Sequence, residues 1–170
     1  MLAVHDAWEK LQKDSAYMEW QKSHSKSYLY VFFTIMQDKE AAWEVGFFNP
    51  KENTAASFLV GDAIEQTQEN SRIFKPEDQK VQELNLKKVK ISLDGALNIF
   101  ETVRLEKYAK ETPSKKIVIL QNLKKPAWNI TYLTAALNVL NIKIDAGTGI
   151  ILEESLTSAL SFNQAKQKAG

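Results

Sequence analysis

Near the start of the chain, positions Trp8, Leu11, Ser15 and Met18 fall at alternating steps of three and four, and Tyr17 and Trp20 widen the stripe they make. That spacing predicts one amphipathic helix from Asp6 to about Lys22. The period then changes. From Tyr28 to Met36, "YLYVFFTIM" is apolar on both alternating faces and rich in β-formers, which predicts a strand buried on both sides or seated at an interface. "AAWEVGFF" and "ASFLVG" follow, separated by "NPKENT", and the Asn, Pro and Asn of that link predict a turn between adjacent antiparallel strands. From Glu65 to Lys80 the chain is polar, as an edge strand running into a linker would be.

The second half follows a similar course. "VQELNLKKVKI" reads as extended, and Ser92 is placed to cap a helix from about Leu93 to Lys110, with Asp94 in its first turn and Leu93, Ala96, Leu97, Phe100 and Val103 on one apolar stripe. Thr112, Pro113 and Ser114 stop it, and "KIVIL" opens another set of strands. Trp128, Ile130 and Tyr132 alternate with Asn129 and Thr131, and Leu140, Ile142 and Ile144 alternate with Asn141 and Lys143, so each run has an apolar and a wetter face. "DAGTG", Asp145 to Gly149, is then a hairpin turn.

Helix, apolar strand, a strand opening Ala-Trp and further strands thus occur twice, with Ala42-Trp43-Glu44-Val45 matching Ala127-Trp128-Asn129-Ile130. This order predicts an α+β fold of two repeated units, each an antiparallel sheet packed on one α-helix. The first unit would span 1–75, a linker or connecting strand 76–90, the second unit 91–163, and a polar tail 164–170.

Composition narrows the function. With 22 basic and 21 acidic side chains in 170 residues the net charge is +1, too little to hold nucleic acid or an anionic membrane by long-range attraction. The local clusters Lys87, Lys88, Lys90, then Lys115/Lys116 and Lys124/Lys125, read as solvated edges where lysine discourages strand pairing. The absence of cysteine excludes disulfides, thiolate nucleophiles and zinc sites built on sulfur. No apolar run approaches the roughly 18 residues needed to cross a bilayer, so no membrane insertion is expected of this sequence. "MLAVHDAWEK" also lacks the basic and apolar regions of a signal peptide. The compartment is left open on these grounds.

"KISLDGALNIFE" entering a helix, then "PAWNITY", then "IKIDAGTGIIL" resembles the PepSY domain, a module of peptidase propeptides and envelope proteins. The resemblance covers roughly Val89 to Glu154, and its matching structural positions are Ala96, Trp128, Asp145, Thr148 and Gly149. Gly95 departs from the acidic or polar residue usual there, and the first half keeps Trp43 but has "SFLVGDAIEQ" in place of the turn. The resemblance implies a non-enzymatic role, binding or restraining a peptidase or another envelope protein, and an extracytoplasmic setting.

Competing chemistry finds no complete set of residues. "DAGTG" has the wrong order for an aspartic protease loop, and no Gly-Lys-Ser/Thr follows to make it a P-loop. His5 and His24 flank the first helix without the three or four converging ligands that a metal requires, and read as surface or capping residues. Glu153/Glu154 and Glu77/Asp78 lie in polar stretches where solvation is the default. Trp8, Trp20, Trp43, Trp128 and the run Tyr28, Tyr30, Phe32, Phe33 read as core filling, with any surplus forming a binding surface or a homodimer contact.

The expectation is therefore a non-catalytic protein-interaction module with no catalytic residues, cofactor or metal. The alternative is a small-molecule carrier, for a lipid or metabolite, or an enzyme, with a pocket between helix and sheet. A structural subunit that self-associates through the aromatic strand is a third reading.

Overall fold

The computed structural model describes residues 1–36, 41–72 and 80–158. Two helices, α1 (Val4–Gln12) and α2 (Ser15–Ser23), precede strands β1 (Tyr28–Met36), β2 (Trp43–Asn49), β3 (Thr54–Val60) and β4 (Ile64–Arg72). A short 3-10 turn at Leu86–Lys88 leads to α3 (Leu93–Lys107), and β5 (Pro113–Asn122), β6 (Pro126–Thr134), β7 (Asn138–Asp145) and β8 (Ile151–Ser158) complete the described chain. The protein is α+β, and its sheet is antiparallel.

All eight strands belong to one sheet, in the order β4-β3-β2-β1-β5-β6-β7-β8. This corrects the expected pair of units, each a sheet on one helix. β1 pairs with β2 along one edge and with β5 along the other, from Val31 opposite Gln121 to Met36 opposite Lys116. Backbone donors and acceptors on both edges of an apolar, half-buried strand need partners, and a neighbour on each side supplies them. Each set of four strands therefore meanders outward from a shared seam.

The expected first helix is also corrected. Its buried positions are Val4, Ala7 and Leu11, then Tyr17 and Trp20, so the helical spacing breaks between Leu11 and Tyr17. Asp14 sits in that break with extended backbone, and its carboxylate accepts a hydrogen bond from Tyr17 N at 2.9 Å, capping a second helix. Ser15 and Met18, placed on the apolar stripe by spacing, are exposed. The segment before α3, expected to be extended, makes its 3-10 turn because the Asn85 side chain accepts from Lys87 N.

Other local expectations hold. Ser92 caps α3 by accepting from Gly95 N. Asn49 Oδ1 accepts from Lys51 N and Glu52 N to shape the β2–β3 turn, where Asn53 takes a φ of 55°. β4 is an edge strand, and the polar tail of 164–170 lies outside the described residues.

The helices lie on one face of the sheet. Tyr17 and Trp20 of α2 pack on Phe47 and Phe58, with ring centroids 5.1 to 5.5 Å apart. Burial pushes the Tyr17 phenol up to about 12. Phe100 of α3 covers Tyr132 at 4.0 Å. Trp43 and Trp128 approach to 6.2 Å although β1 and β5 separate their strands, and both are buried. Their indole N–H groups donate to backbone just before a helix, Trp43 to Leu2 O and Trp128 to Ile91 O. Such an acceptor offsets the cost of burying the indole N–H, which Trp20, also buried, bears without a partner among the described residues.

Lys115 and Lys116 do not mark a sheet edge, since β5 is central. Lys116 lies on the helix side, its ammonium 4.9 Å from the centre of the Tyr132 ring and 3.8 Å from Glu101. Lys124 takes a φ of 77° in the β5–β6 turn, and Lys125 pairs with Asp145.

Candidate functional site: the sheet face opposite the helices and the β8 border

Ala127 pairs with Asp145 and Trp128 with Ile144, which brings the positions of the tryptophan strand and the Asp145–Gly149 turn together. Asp145 Oδ1 accepts from Gly147 N and Thr148 N, while Oδ2 meets the Lys125 ammonium. The hydrogen bond from Lys125, with the Gly147 and Thr148 donors, holds this carboxyl below the ordinary range against the opposing effect of burial. Gly149 adopts a φ of 79°, and a Cβ there would stand 3.2 Å from Ile99 Cδ1. The turn is tied to the approach to α3, because Lys90 N and Ile91 N both donate to Ala146 O at 2.8 Å. Ala96 is buried on α3. These five positions thus build a scaffold corner in which the carboxylate is occupied by its own chain.

A second polar cluster escaped the sequence. Glu101 of α3 accepts from the Tyr132 hydroxyl and from Arg104 Nε, each at 2.7 Å, and Arg104 also donates to Glu111 O. Burial acts to raise Glu101, but the hydrogen bonds from Tyr132 and Arg104, with the charges of Arg104 and Lys116, bring it below its ordinary value. Burial and then Glu101 push the Tyr132 phenol up. A carboxylate held ionised and a phenol held protonated are poorly matched to proton transfer near neutral pH; what they do is fasten α3 to β6. The Glu101–Arg104 spacing is legible on a helix, whereas Tyr132, 31 residues away, is not.

The face opposite the helices differs in character. Alternation puts Val31, Phe33 and Ile35 of β1 beside Ile119 and Ile117 of β5 on that face, all partly exposed. One transverse row can be followed across the whole sheet by register: Glu65, Leu59, Glu44, Phe33, Ile119, Asn129, Lys143, Glu153. Its centre is apolar and its flanks are polar. On one flank Glu44 accepts from Ser57 and Thr67 hydroxyls. On the other, Asn141 donates to Asn129 Oδ1 and Thr131 Oγ1, and Lys143 pairs with Glu153. The face narrows at one end, where Tyr30 and Val31 fold over Gly46: a Cβ on Gly46 would lie 2.6 Å from Val31 Cγ1.

β8 forms one border of the sheet, and no described element lies beyond it. Ile151, Leu152 and Leu156 are exposed along it, as is Ile150 just before it. Its two glutamates are drawn to opposite faces, Glu154 to Lys107 of α3 and Glu153 to Lys143, rather than screening the edge. β4, the other border, carries Glu65, Gln66, Gln68 and Glu69.

On the helix side, Met1–His5, Met36, Val89–Asp94 and Trp128 line a cleft of about 470 Å³. His5 Nε2 lies 3.2 Å from Leu86 O, and His24 Nδ1 lies 2.9 Å from Trp20 O with its ring stacked on Trp20. The structure does not bring the two histidines into one site. Among the described residues no group of three or more His, Cys, Asp or Glu side chains could hold a metal ion. Glu77 and Asp78 lie outside the described residues.

The geometry defines an α+β protein with helices on one side of a single eight-stranded antiparallel sheet. No protein-family model matches the chain, and no curated protein matches it. It is similar in fold to a crystal structure of a "putative lipoprotein" from Clostridium difficile 630, with a TM-score of 0.51, 11% sequence identity, and coverage of 86% of this chain and 97% of that one. Among the described residues no helix is long and apolar enough to cross a membrane.

Proposed function

We propose that the protein is a non-catalytic interaction module in which the outer edge of β8 receives an extended segment of another protein. The observation that carries this reading is the border position of β8 combined with its exposed Ile151, Leu152 and Leu156. An added strand gains main-chain hydrogen bonds from such an edge and specificity from alternate side chains. Natural sheets ordinarily blunt their edges with charge, as β4 does here. The resemblance of the second half to PepSY modules supports a peptidase or envelope protein as the partner, and the name of the structural neighbour is in keeping with an envelope setting.

The test compares wild type with Leu152→Lys and Leu105→Lys in capture from the envelope fraction of the source organism. A peptide from the recovered protein is then titrated while amide exchange in β8 is followed. Loss of capture with Leu152→Lys alone, and slowed exchange along β8, are the expected results. Equal capture by all three proteins would overturn the reading.

A second reading rests on the cleft beside Trp128, whose volume is within the range of small-ligand sites. Stabilisation of the isolated protein by a member of a lipid or metabolite panel would favour it.

A further inference from the structure

We infer that the sheet face opposite the helices, on which no described helix or strand lies, is a self-association surface: two copies stack face to face about a two-fold axis that runs parallel to the strands, over the β1–β5 seam. Three observations lead to it. The seam lies at the centre of the eight-strand order, and the side chains along it, among them Phe33 and Ile119, are apolar and only partly covered. Stacked sheets lie about 10 Å apart, a distance that such side chains fill when they interdigitate. Eight strands of seven to ten residues, at about 4.8 Å spacing and about 3.3 Å per residue, give a face of about 1,000 Å², enough to hold the roughly 800 Å² per partner of a standard stable interface.

The polar flanks then fix the arrangement. Rotation about an axis along the seam lays β2 of one copy over β6 of the other and β3 over β7. In the row through Phe33 this sets Glu44 above Asn129 and Leu59 above Lys143. Asn129 Oδ1 is already occupied by Asn141, which leaves its amide N–H groups to donate to the partner's carboxylate. Among the described residues Glu44 has hydroxyl partners and no ion pair, so it is suited to accept them. The other in-plane axis, across the strands, would lay each strand over its own copy and set Glu44 near Glu44 and Lys143 near Lys143. Like charges confronted in a desolvated interface are costly. The rotation about the seam also sets Glu65 of β4 over Glu153 of the second copy, but this acidic pair lies at the exposed border of the sheet, where solvent and salt screen it. The face is thus better matched to itself in this orientation than in the other.

Sedimentation of the full chain over about 1–200 µM reads the association, and the lack of native cysteine makes introduced cysteines clean reporters of geometry. The expected result is a dimer that Ile35→Lys weakens by at least about tenfold without loss of cooperative unfolding, while Leu105→Lys on the helix side leaves it intact. Glu44→Cys mixed with Asn129→Cys should cross-link faster than either does alone. A monomer at all concentrations, preferential cross-linking of Glu44→Cys with itself, or a dimer lost with Leu152→Lys but not with Ile35→Lys would each overturn the inference. The last result would move the contact to the β8 edge. Because the proposed partner docks on that edge and not on this face, either proposal can fail while the other stands.

Discussion

Asp145 shows how one side chain can hold a corner. Its two oxygens serve two backbone N–H groups of the turn and the Lys125 ammonium. Asp145→Asn keeps an acceptor for the turn and loses the charge, so it should cost about 1 kcal/mol at pH 7, a small figure because Lys125 is half exposed. The carboxyl titrates lower in the folded than in the unfolded protein. Its contribution is therefore complete above the unfolded value of about 3.9 and is lost as pH falls through the folded value. Urea unfolding of both proteins at pH 7 and in steps to about pH 2 should show the gap closing only below about pH 4. A constant gap, or one that widens in acid, would contradict the assignment. That a hairpin turn lies at "DAGTG" was readable because its residue preferences are local; the hold of the Asp145 carboxylate on the turn and on Lys125 was not, since nothing in the spacing brings Lys125 to the same corner.

At the scale of elements, caps and alternation were legible and interruptions were less so. Ser92 and Asn49 announce themselves because each bonds to backbone within three residues. The break between α1 and α2 was hidden because Ser15 and Met18 happen to continue the step of three and four, although the side chains that are buried skip from Leu11 to Tyr17. Asp14→Ala removes the cap of α2 and should cost about 0.5–2 kcal/mol. Since α2 carries Tyr17 and Trp20 into the aromatic cluster on β2 and β3, the loss should appear in the near-ultraviolet dichroism as well as in the melting temperature. An unchanged melting temperature would show that tertiary packing alone sets the α2 start.

For the whole molecule, periodicity identified the faces of the strands but not their neighbours. The two apolar faces of β1 suggested burial or an interface; that its second edge is taken by β5 depends on segments 80 to 90 residues apart. Such pairing leaves no mark on local spacing. If the seam is what completes both sets of strands, fragments 1–79 and 80–170 should each unfold without cooperativity, and an equimolar mixture should regain a single transition. Independent cooperative unfolding of either fragment would show instead that four strands and their helices suffice. The same seam has a consequence for the growing polypeptide. At about 5–20 residues per second the ribosome needs several seconds to a quarter of a minute to make the stretch between β1 and β5. During that interval the inner border of β1, with Phe32, Thr34 and Met36 on one side and Phe33 and Ile35 on the other, waits without its strand partner. An apolar border left open for seconds is a demand on holding chaperones that the finished protein, with that border sealed at its centre, no longer makes.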